Sequence, residues 1–210
     1  KGKKDQTSGS VLLGSDRSSI SGDTQLASGD ASDATGYVSL RSGNSTKGTG
    51  GDVRLATGTS TNGSGASAAV KAGDAEDDKS PGGTLSLAAG YASKEKGGTV
   101  EIRGGTNVAG AGGNLILASG SSEGSTSGDV SLKTPPAGNS GASGSATIQS
   151  GASLDGSSGE VKIGSLDATG GKGGSLKVSV GAGSSGAGGD IDLTAGFGSE
   201  GDGGSLSIGS

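Results

Sequence analysis

The chain has 210 residues, with 49 glycines, no Cys, His, Met or Trp, and a formal net charge of −5. These facts exclude a disulfide or thiolate-metal framework and remove the usual acid–base and covalent players of enzymes. Leu, Ile, Val and Phe together number 33, too few for a globular core of normal size, and no apolar run is long enough to span a membrane.

A Gly/Ser-rich chain without a period reads as a disordered linker. This chain has a period. It is a short apolar-x-apolar unit whose first residues are Val11, Thr24, Val38, Val53, Ala68, Leu85, Val100, Leu115, Val130, Ala146, Val161, Leu176, Ile191 and Leu206. The spacings are 13, 14, 15, 15, 17, 15, 15, 15, 16, 15, 15, 15 and 15. No composition shift marks a second domain.

Two positions after each first residue, from Val38 onward, stand Leu40, Leu55, Val70, Leu87, Ile102, Leu117, Leu132, Ile148, Ile163, Val178, Leu193 and Ile208. The residue between the two is mostly polar, as in Arg54, Glu101, Lys162, Lys177 and Asp192. This alternation is the signature of a half-buried strand. A Gly pair or Ser-Gly precedes most units, and another Gly usually follows, as at Gly58, Gly73, Gly90, Gly105, Gly120, Gly151, Gly181 and Gly196. Glycines at fixed offsets supply the positive φ that tight turns need.

A near-constant repeat favours a coil that returns to the same place over an antiparallel meander, whose loops are free to drift in length. The predicted fold is therefore all-β: one flat β-solenoid over residues 1–210, of about fourteen 15-residue coils with parallel stacked strands and no helix. Residues 1–10 read as a fraying N-terminal segment. The longest interval holds Asp77, Asp78, Lys79, Ser80 and Pro81, and the 16-residue interval holds Pro135 and Pro136. Both place their extra residues in the variable return segment, where a ladder donor matters least. The expected core ladder is Val38, Leu40, Val53, Leu55, Leu85, Leu87, Val100, Ile102, Leu115, Leu117, Val130, Leu132, Val161, Ile163, Leu176, Val178, Ile191, Leu193, Leu206 and Ile208. Stacked coils would make it one continuous stripe.

The pattern Gly-Gly-Asp-Val-x-Leu-x-x-Gly, best seen in Gly51–Gly58, Gly128–Thr134 and Gly189–Gly196, resembles the long Gly/Ser-rich tandem repeats of extracellular proteins of diatoms and related algae. The resemblance covers the whole chain and is one of repeat style. It implies a β-solenoid protein of the cell surface, wall or a fibre, and it carries no site residues.

Candidate sites are few. Calcium rolls need a carboxylate at a fixed place in every turn. Here Asp52, Asp129 and Asp190 alternate with Thr84, Thr99, Asn114, Ser145, Ser175 and Ser205 at that place, and only Asp74, Glu76, Asp77 and Asp78 cluster. That cluster reads first as a solvated loop. The outward mid-strand column is too mixed for an ice-binding array. Gly170–Gly174, with Lys172 at its centre, lacks the phosphate-loop pattern before a helix. Net negative charge and three aromatic residues, Tyr37, Tyr91 and Phe197, argue against nucleic acid. Asn44 and Asn62 each match the N-glycosylation acceptor triplet. Lys177 and Asp192 are expected to stack one coil apart, a contact of little energetic weight.

The last unit, Gly203–Ser210, is full consensus rather than a capping repeat. Uncapped edges are templates for a further copy, unless the chain is an excerpt of a longer array. Lys1, Lys3 and Lys4 read as a frayed or processed terminus. The functional expectation is a non-enzymatic structural protein without cofactor. It would build an extracellular fibre, filament or surface appendage by end-to-end stacking of coils, with self-association and covalent glycans as its partners. The alternative is an adhesin stalk or surface-binding β-roll, assisted by calcium or glycans.

Overall fold

A computed structural model describes residues 9–16, 18–77 and 79–209. Lys1, Lys3, Lys4, most of the expected N-terminal segment and Asp78 lie outside the described residues. The chain divides into two units, Lys1–Arg103 and Gly104–Ser210.

Among the described residues there is neither helix nor strand. The expected β-solenoid of stacked parallel strands is therefore overturned. What the repeat forms instead is an extended arm followed by a closed loop. In the first unit the chain bends at 18–20, 32–33, 46–48, 61–63, 77 and 79, and 93–95. In the second it bends at 108–110, 123–125, 139–141, 154–156, 169–171, 184–186 and 199–201. The period seen in the sequence is thus present in space, one bend per repeat.

Five of the loops among the described residues close at their necks by a backbone bond. The amide of the second glycine before an arm donates to the carbonyl of the glycine that ended the previous arm. In the first unit these bonds are Gly83 N–H to Gly73 O (2.9 Å) and Gly98 N–H to Gly90 O (2.9 Å). In the second they are Gly113 to Gly105 (2.8 Å), Gly128 to Gly120 (2.9 Å) and Gly204 to Gly196 (2.8 Å). The neck resembles the tip of a β-hairpin, but ladder bonds do not continue into the arms.

These necks explain the glycine column. A Cβ added at Gly98 would stand 3.0 Å from Gly90 N, and one at Gly113 would stand 3.0 Å from Gly105 N. At Gly174 and Gly189 an added Cβ would come within 2.8 Å of Ser165 Cβ and Val180 Cγ1. At these positions close approach, not backbone handedness, keeps Gly, whereas at Gly51, Gly128 and Gly144 an added Cβ would meet only ordinary contacts of 3.5–3.6 Å. The expectation of positive φ at the fixed-offset glycines is not met: among the described residues positive φ occurs at Gly141, at φ 141° in the bend at 139–141, a conformation open mainly to glycine.

The return segment, which a solenoid would need as its second wall, is consumed by this local closure. Closing a short loop costs less chain entropy than holding distant segments together. Two aliphatic side chains per repeat cannot offset about 1 kcal/mol or more of backbone entropy per residue. All twenty ladder residues are accordingly exposed, from 47% at Val161 to 84% at Ile208, and no described residue is buried.

Candidate functional site

With no core to organise, chemistry falls to two surfaces: the arms and the loop tips. In every arm of the expected ladder the first aliphatic residue is less exposed than the second. Val53 is 53% exposed against 83% for Leu55. The first lies two residues after the neck position, the second four.

The opposite face of the arms carries the charges, and these pair along one arm. Arg54 Nη2 meets Asp52 Oδ2 at 2.9 Å, Arg103 pairs with Glu101, and Thr194 Oγ1 donates to Asp192 Oδ1 at 2.8 Å. Each pair is two residues apart, the spacing of one face of an extended chain. Asp192 therefore bonds within its own arm. The expected Lys177–Asp192 contact across coils is absent among the described residues.

The loop tips are held by side-chain caps. Ser45 Oγ accepts from Gly48 N–H at 2.9 Å, and Ser122 Oγ accepts from Ser125 N–H at 3.0 Å. Asn107 Oδ1 accepts from the amides of Ala109 and Gly110, both at 2.8 Å. These are the local side-chain-to-backbone turns favoured by Ser and Asn. Sequence reading missed them. The available signal was Ser or Asn seven positions after the arm's first residue, with Gly often three further on.

The described residues of the acidic cluster, Asp74, Glu76 and Asp77, do not gather into a ligand set. Lys71 Nζ pairs with Asp74 Oδ2 at 2.5 Å. Asp77 Oδ1 accepts from Lys79 N–H at 2.8 Å. That backbone bond, with help from the Ser80 hydroxyl, holds the Asp77 carboxyl below its ordinary pKa. Among the described residues no three metal-ligating side chains converge.

Both expected glycan acceptors are exposed and sit in loops. Asn44 stands beside a shallow depression lined by Arg41, Ser42 and Gly43. Asn62 lies in the bend at 61–63. Its loop lacks the Gly-to-Gly neck bond. Ala66 replaces the neck glycine, and closure rests on Thr57 Oγ1 donating to Ala66 O at 3.5 Å.

No helix among the described residues is long and apolar enough to cross a membrane. No family model, curated protein or solved structure matches the chain.

Proposed function

We propose that the chain is a structural protein, a building block of an extracellular fibre or surface appendage in which copies associate through their arms. The observation that carries this reading is the exposed aliphatic pair recurring about every fifteen residues in a chain with no buried side chain among those described. Covering an aliphatic side chain contributes about 1.5–3 kcal/mol, so one arm-to-arm contact is weak. A second copy carries the same spacing, and once one arm has docked the next binds at high effective concentration. Extended arms without backbone partners add hydrogen-bonding edges to such contacts.

The reading has no active site and no cofactor. The likeness to algal surface repeats supports an extracellular setting. Glycans at Asn44 and Asn62 would project from loops, away from the arms that associate.

The test is a concentration series in chelator, followed by sedimentation and electron imaging. Association that rises with concentration is expected. It should be lost when Leu55, Leu87, Leu117 and Leu132 are all changed to Ser. A chain that stays monomeric over the whole series would sink the reading.

A further inference from the structure

We propose that Asn62 is a self-modifying site, where the side-chain amide is lost as ammonia after attack by the backbone nitrogen of Gly63. The new bond joins Gly63 N to Asn62 Cγ, the Cγ–Nδ2 bond breaks, and the Gly63 amide proton leaves with the ammonia. Water then opens the five-membered imide at either carbonyl. One opening gives aspartate. The other gives the isomer whose main chain runs through the side-chain carbon. No oxidant, metal or second protein is required.

One observation singles out Asn62 among the five asparagines, and two more favour attack there, the last of them shared with the loops of Asn44 and Asn139. Asn62 alone is followed by Gly; Asn44, Asn107, Asn114 and Asn139 are followed by Ser45, Val108, Leu115 and Ser140. A Cβ on the following residue crowds the attacking nitrogen, and Gly63 has none. Second, the Asn62 amide is exposed and makes no hydrogen bond, whereas Asn107 Oδ1 holds two amides at 2.8 Å. Third, the attack requires the backbone to turn toward Cγ. The loop around Asn62 is closed by a hydroxyl at 3.5 Å, against 2.8–2.9 Å for the backbone-bonded necks. Asparagine is thermolabile in any exposed chain; here sequence, free amide and loose closure coincide.

The conversion has consequences for the repeat. It adds one negative charge to a unit whose charges otherwise cancel. It also destroys the acceptor nitrogen of Asn62-Gly63-Ser64, while a glycan on that nitrogen would block the attack. Glycosylation and conversion are alternative fates of one atom.

The experiment incubates the full-length, unglycosylated chain at neutral and mildly alkaline pH. Conversion is followed by mass spectrometry of the tryptic peptide Leu55–Lys71. Acid and iso-acid forms at Asn62 should accumulate at least roughly tenfold faster than at Asn107 or Asn44 in the same sample, and faster as pH rises. Gly63→Ala should slow the conversion by about the same factor. Equal rates at Asn62 and Asn107, or a rate untouched by Gly63→Ala, would overturn the proposal. Neither readout depends on whether copies associate.

Discussion

The two units share a backbone plan and differ in charge. Lys1–Arg103 holds twelve basic and twelve acidic residues, a net of zero, while Gly104–Ser210 holds four and nine, a net of −5. Every described ion pair lies in the first unit. Yet the neck bonds are the same in both, at 2.9 Å in the first and 2.8–2.9 Å in the second. Charge therefore decorates the repeat and does not shape it. The shape comes from glycines placed where two backbone segments meet.

The shared plan is most easily disrupted at the necks. Gly98→Val in the first unit and Gly113→Val in the second should each open one loop, because the new side chain starts 3.0 Å from the facing amide. Each should lose about 0.5–1.5 kcal/mol of local stability, the net worth of one hydrogen bond. Amide hydrogen exchange at the two sites would read it, and unequal losses would mean that charge matters after all.

A smaller effect contrasts two turn caps. The turn at Asp77 is held by a carboxylate and the turn at Ser122 by a hydroxyl. The lowered pKa of Asp77 means that its stabilisation is present above the ordinary Asp value and is lost as pH falls through the lowered one. Acidification should open the turn at Asp77 and leave the turn at Ser122 unchanged, as followed by amide chemical shifts of Lys79 and Ser125.

The smallest effect is expected on the charged face. Arg54→Gln removes an ion pair whose side chains are 85% and 68% exposed, so its cost should be about 0–1 kcal/mol and vanish at high salt. Thr194→Val in the second unit removes a hydroxyl bond to Asp192. Its effect should be equally small and less dependent on salt.

The period, the arm boundaries and the place of the insertion were all legible in the sequence. The extra residues at Asp77–Pro81 fall inside a loop, and Gly83 still reaches Gly73 across it. The destination of the return segment was not legible. A regular repeat fits both coils that stack and loops that close on themselves, because each demands constant length. The deciding feature was the column four positions after each arm's first residue: Ser42, Ala72, Ala89, Ser119, Ser165 and Ala195 among others. These small residues face the neck glycines, as an added Cβ at Gly98 would lie 3.2 Å from Ala89 Cβ. Read as filler they are silent; read against the glycine nine positions on, or eleven for Ala72 across the insertion, they mark a close crossing. The candidate acceptors Asn44 and Asn62 were visible from their triplets, but the free amide of Asn62 and the bound one of Asn107 are set by turn geometry that no triplet encodes.

The neck bonds also have a mechanical meaning. Each stores chain: the eight steps from Gly90 to Gly98 would span on the order of 25 Å if drawn straight, yet one hydrogen bond holds their ends together. Under tension such loops would release one after another, each lending length before any covalent bond is strained, and each free to close again once the load is removed.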